Sequence, residues 1–143
     1  MFPLQVDDDD VVAILLQMEI IPLCMHNMDF ASPLAKELAT YIVIRILVHD
    51  IGLEYICSQA DRFFALCAAL QRMVVTLTQK PSTKFLRKII CCYLRLADHP
   101  RACRALHGNL PVVLRNGTFD HYLTMLDDQE TWSLIQQLIL KVS

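Results

Sequence analysis

Residues 81–105 read PSTKFLRKIICCYLRLADHPRACRA, and no other stretch constrains the possible folds as strongly. Pro81 marks a break, and Ser82 or Thr83 can cap a helix. Phe85, Leu86, Ile89, Ile90, Tyr93 and Ala97 then recur at three- and four-residue steps and make one apolar face. Lys84, Arg87, Lys88, Cys91 and Arg95 fall on the opposite face, which is basic. Asp98, His99 and Pro100 end the helix, because a residue before proline is pushed out of the α region. A second amphipathic helix starts at once with Arg101, Ala102, Arg104 and Leu106. One helix ending sharply into the next, with a basic outer face, is the building unit this stretch predicts.

The rest of the chain repeats that style. Asp7, Asp8, Asp9 and Asp10 open a helix, where acids favour the positive end of the dipole. Contiguous acids on a helix point in different directions, so a divalent-metal reading of the run is set aside. Residues 19–28 form a second helix with Pro22 in its first turn, and 29–32 a turn. Pro33, at a first helical position after Ser32, begins a helix running to about 49. That helix is apolar nearly all round and is expected to be central. Asp50, Ile51 and Gly52 are read as its breaker, with 53–57 a short connecting helix and 61–78 a long one. Residues 109–111 and 116–117 are turns around a short helix. Thr118 caps 119–126, and a last helix spans 129–142 with Trp132 in the core. No strand alternation or hairpin turn is present.

A shift of 50 residues sets Ser32 on Ser82, Arg45 on Arg95 and His49 on His99, and it sets Tyr41 on Cys91. Three-helix units of about 40–50 residues describe armadillo-type arrays, in which each unit buries its apolar side on its neighbours. The fold class expected is therefore all-α, a partial armadillo-type array in a right-handed superhelix, with 1–143 as a single domain. Stacked third helices would set Arg45, Lys84, Lys88, Cys91 and Arg95 along one groove with Arg87 at its side. Tyr41 and Tyr93 are candidates for a pocket.

An apolar share of 55% with only 20% charge, and a mean hydropathy of +0.38, exceeds what a soluble domain usually carries. Some apolar surface is thus expected to meet another chain or further helices. No segment is long and apolar enough to span a membrane: 38–48 is interrupted by Arg45, and 63–77 contains Gln71 and Arg72. The start has no basic n-region and no long apolar h-region. The six cysteines lack CxxC spacing and are read as reduced thiols, which places the chain in cytosol and nucleus.

The basic cluster at 80–104, with Asp98 its only acid, can attract an acidic peptide or a phosphate backbone, or be a solvated helix face. Chemistry is poorly supported. His99, Cys103 and His107 lie four apart but lack a fourth ligand for zinc. His49 beside Asp50 has no nucleophile elbow, and three glycines leave no phosphate-binding loop. No enzyme, cofactor or metal is expected.

Four segments resemble one family closely: EIIPLC at 19–24, AT-x-I-x-x-x-IL at 39–47, D-x-GL-x-YIC at 50–57 and CYLRLADHPRA at 92–102. It is the required-for-cell-differentiation family, the armadillo-repeat subunit of the carbon catabolite repression four–NOT deadenylase complex. The resemblance implies an armadillo array that is not a nuclease, docks on the large scaffold subunit, and takes tryptophans from RNA-silencing and mRNA-decay adaptors. It also implies a groove with affinity for RNA or DNA, so direct nucleic-acid binding is the rival function. The family carries further repeats ahead of its EIIPLC segment, whereas this sequence starts just before it. An open apolar face is expected there, and a shortened paralogue outside the complex is a third reading. The family's basic residues before its C-terminal tryptophan are replaced here by Glu130 and Thr131 ahead of Trp132.

Overall fold

The structure, a computed structural model, describes residues 9–30 and 32–143. Ten helices and no strand occur among them: α1 (Asp9–Gln17), α2 (Ile20–Phe30), α3 (Pro33–Val48), α4 (Asp50–Cys57), α5 (Ala60–Leu77), α6 (Thr83–Leu96), α7 (Pro100–Asn109), α8 (Val112–Arg115), α9 (Asp120–Met125) and α10 (Gln129–Val142). Asp9 and Asp10 lie in the first turn of α1 as expected, while Asp7 and Asp8 fall outside the described residues.

The helices stack in three layers. Third helices pack side by side, α3 on α6 and α6 on α10; second helices α2 and α5 pair, as do first helices α1 and α4. The units are α1–α2–α3, α4–α5–α6 and α7 through α10, an all-α armadillo-type array. The 50-residue register is visible in the backbone. Ser32 and Ser82 both cap their helices, accepting from the Ala35 amide at 3.4 Å and the Phe85 amide at 3.3 Å. His49 and His99 both adopt extended backbone between two helices, at φ −81°, ψ 139° and φ −87°, ψ 125°. Each ring also reaches back to the preceding unit's first helix, His49 to Asp9 at 2.5 Å and His99 to Glu54 at 3.1 Å.

Three local expectations are corrected. Asp50, Ile51 and Gly52 are the first turn of α4, and the break is His49 alone. Gly52 is there for space: a Cβ on it would lie 2.1 Å from the Ile46 carbonyl oxygen, so only glycine lets α4 start against the end of α3. Thr118 does not cap α9; its amide and hydroxyl are taken by the Asn116 side chain, and the cap position is Phe119 without a side-chain bond. Trp132 is 45% exposed rather than core. Its neighbour Thr131 is the buried residue, because Asp128 caps α10 by accepting from the Thr131 amide at 3.0 Å and turns Trp132 outward.

The core runs through all three units and includes Val43, Ile46 and Leu47 of α3, Leu66 and Leu70 of α5, and Ile89, Ile90 and Leu96 of α6. No single described helix is long and apolar enough to cross a membrane; only α1 and α2 together would reach the length, and they are bent by 74°.

Candidate functional site

The polar face of α6 lies at the middle of the stack of third helices, and its cations reach sideways to both neighbours. Lys88 donates to Glu37 of α3 at 2.9 Å, and Lys84 stands 3.4 Å from the same carboxylate. Arg87 turns the other way. Its Nε donates to the Thr131 hydroxyl at 3.1 Å and its Nη2 to Asp128 at 3.2 Å, while Glu130 lies 3.4 Å away. Arg95 closes the seam at the other end of α6: Nε donates to the Leu47 carbonyl at 2.5 Å and Nη2 to the Val48 carbonyl and Asp50, each at 3.0 Å. Its Nη1 donates to Asp98, which Lys141 also meets. Hydrogen bonds from Lys88, from Lys141 and from the Thr131 amide hold the carboxyls of Glu37, Asp98 and Asp128 below their ordinary values.

Four of the predicted groove residues are thus divided between two seams, Lys84, Lys88 and Arg95 on the α3–α6 seam and Arg87 on the α6–α10 seam, each with an acid against it. Cys91 is half-buried among them, and burial pushes its thiol up. Arg45 sits half-buried on α3. The two tyrosines are not brought together. Tyr41 is 47% exposed on α3, whereas Tyr93 is a core residue whose buried hydroxyl has no hydrogen-bond partner among the described residues. Sequence periodicity alone did not show the pairing, because the acids other than Asp98 lie roughly one repeat away from the cations they meet.

A second surface is apolar. Leu34, Leu38, Tyr41 and Val48 recur along α3 and are all exposed, with Leu23 and Phe30 exposed on the adjoining α2. These side chains make an apolar stripe in water, and α3 is central only where α2, α4 and α6 cover it.

His99, Cys103 and His107 do not converge. They meet Glu54, the Lys141 carbonyl and the Val142 carbonyl respectively. No group of three or more His, Cys, Asp or Glu side chains among the described residues could hold a metal ion. All six cysteines are free thiols; burial pushes Cys24 and Cys57 up to about 11 and Cys67 up to about 12.

Two hollows escaped the sequence reading. The larger, of about 1040 Å³, opens between the first two units and is bounded by the end of α2, the starts of α3 and α6, and the second half of α5. The smaller, of about 580 Å³, lies between α9 and α10 with Trp132 on its wall. Neither has a contiguous signature, since each is assembled from separate segments.

These features define a class: a stacked array of short helical units, tied across its seams by ion pairs and exposing apolar faces. The chain belongs to the Rcd1-like cell differentiation family, whose model matches residues 3–142. It is 42% identical over 137 residues to the cell differentiation protein rcd1 of Schizosaccharomyces pombe, covering 96% of this chain and 48% of that protein. It is 41% identical over 138 residues to Protein CAF40 of Saccharomyces cerevisiae, covering 96% of this chain and 36% of that one. The chain thus spans about half or less of the length of the relatives it matches.

Proposed function

We propose that the chain is a non-catalytic adaptor of the carbon catabolite repression four–NOT deadenylase complex, in cytoplasm and nucleus. It joins the large scaffold subunit to tryptophan-containing adaptor peptides in mRNA decay and translational repression. The observation that carries this is the family match along residues 3–142, on a chain with an exposed apolar stripe suited to another protein. The pairing of the α6 cations with acids favours a protein partner over a phosphate backbone. Each of these cations would have to leave an intramolecular acid before neutralising a phosphate.

The test is co-purification of the tagged chain from cell extract, with and without nuclease. Recovery of the scaffold subunit after nuclease treatment is the expected result. Recovery of RNA alone, lost on nuclease treatment, overturns the adaptor reading. Binding of the purified chain to a single-stranded oligonucleotide should be weak. A steep fall with salt that flattens by about one counterion in Lys84→Ala would instead support the groove as a nucleic-acid site.

A further inference from the structure

The larger hollow meets the apolar stripe at Leu34 and adds to it a buried floor and charged groups. Met28, Met73 and Leu77, all buried, form its floor, with Phe85 half-buried at one end and Pro33, Val75 and Pro81 at the mouth. Methionines give such a floor an adaptable shape. The two acids in the lining are already engaged: Asp29 takes two 2.8 Å hydrogen bonds from Arg72, and Glu37 takes Lys88 with Lys84 close by. Lys36 and Lys80, also in the lining, have no acid against them among the described residues. The lining therefore combines an apolar floor with two lysines, the half-buried Lys36 and the exposed Lys80, that are not committed to an acid among the described residues.

We propose that this cleft docks a short acidic segment of a partner protein. One or two large apolar side chains of that segment seat on Met28, Met73 and Leu77, and its carboxylates lie against Lys36 and Lys80. At about 1040 Å³ the hollow is large enough to bury such side chains. The two engaged acids argue for a peptide over a nucleic acid. A peptide can place its carboxylates away from Asp29 and Glu37, while a phosphate backbone carries charge at every step. The proposal goes beyond the adaptor reading and does not depend on membership of any complex.

The test uses the full chain with isotope-labelled methionine methyls. The probe is a synthetic peptide of glutamates interleaved with leucines and one phenylalanine, and its control has lysine for every glutamate. The acidic peptide should shift the Met28 and Met73 methyl resonances saturably, and the lysine control should not. Lys36→Glu with Lys80→Glu should weaken binding about tenfold, since paired charges at a rim set affinity and on-rate together. Ala68→Trp, at an exposed position on the lining, fills the cleft without touching its charges and should abolish the shifts while the circular dichroism stays unchanged. Equal shifts from both peptides, no saturable shift, or binding that survives Ala68→Trp overturn the proposal. So does displacement of the peptide by oligouridylate, which would assign the cleft to nucleic acid. A concentration-dependent dimer lost in the charge-reversed variant would assign it to a second copy and equally overturn it.

Discussion

Replacing Arg95 by methionine measures how far the basic face of α6 is structural. The Arg95 side chain is 22% exposed and spans from α6 to the end of α3, where the last carbonyls of a helix lack intrahelical partners. Two of them, Leu47 and Val48, accept from its guanidinium at 2.5 and 3.0 Å, and the cation also sits at the negative end of the α3 dipole. Hydrogen bonds to a charged group contribute roughly 1.5–3 kcal/mol each where water is excluded. Water reaches the freed Val48 carbonyl, which is at an exposed residue, but reaches Leu47 poorly. The loss is then about 2 kcal/mol, from the buried end of the clamp. The partners Asp50 and Asp98 are too exposed to add much. For a chain of this size that lowers the melting temperature by about 6 °C.

The assay is urea and thermal unfolding followed by circular dichroism at fixed salt. Arg101→Met is the control, because Arg101 is exposed, has no acid against it among the described residues, and should change stability by less than about 0.5 kcal/mol. Arg95→Lys should recover about half of the loss, since an ammonium carries the charge but not the planar fork that reaches two carbonyls at once. Equal midpoints for Arg95→Met and Arg101→Met would refute the clamp. Full recovery by lysine would show that charge near the helix end, rather than the hydrogen bonds, holds the seam.

Gly52→Ala should cost more than 3 kcal/mol or prevent folding, because its new methyl meets backbone at the end of α3; a normal urea midpoint would count against the close approach. Tyr93→Phe should be neutral or stabilising, since the buried hydroxyl has no partner among the described residues to lose; a drop beyond about 1 kcal/mol would mean that a bond exists. Acid should weaken the seams. Glu37, Asp98 and Asp128 titrate below their ordinary 4.5, 3.8 and 3.8, so the unfolded chain takes up protons first. The stability they contribute is complete above about pH 4.5 and is lost as pH falls through their lowered values. Asp128→Asn should flatten the fall of the urea midpoint in that window, and an unchanged slope would remove Asp128 from the account.

Much of the fold was legible because its punctuation is local. Ser32 and Ser82 cap where serine before a helical pattern should, and His99 followed by proline breaks where it must. What misled the reading was glycine at 52, which looks like a breaker and is in fact a space-maker; the carbonyl it avoids lies in another helix, and only the packed array shows it. Trp132 belongs in the core by the sequence alone, but the Asp128 cap sets the rotation of α10 and gives the inward position to Thr131. The seam pairs had a signal that periodicity alone could not use. Glu37 and Lys88 are 51 apart, Asp50 and Arg95 45, and Arg87 and Asp128 41, close to one repeat. Once units stack, residues one repeat apart become neighbours, so opposite charges at that spacing are candidates for ties. The cleft had no such signal, since its lining comes from four separate stretches.

The basic excess of residues 80–104 looks different once these pairs are assigned. Lys84, Arg87, Lys88 and Arg95 are matched by Glu37, Asp128 and Asp50 drawn from other parts of the array, and Arg95 also by its near neighbour Asp98. Lys80, Arg101 and Arg104 remain without an acid against them among the described residues, and Lys80 stands at the cleft rather than on the seam. The middle of α6 is therefore close to neutral in effect, and the positive charge left for partners lies at its margins. The apolar excess behaves oppositely: the core absorbs a continuous set of residues, yet Phe30, Leu34, Leu38 and Tyr41 stay in water. Each is already partly covered, so full cover by a partner would add roughly 1–2 kcal/mol, still at least as much as a screened surface ion pair supplies. Partner binding by this array should accordingly follow buried apolar area and respond mildly to salt, with the charges at the cleft mouth selecting which segment docks.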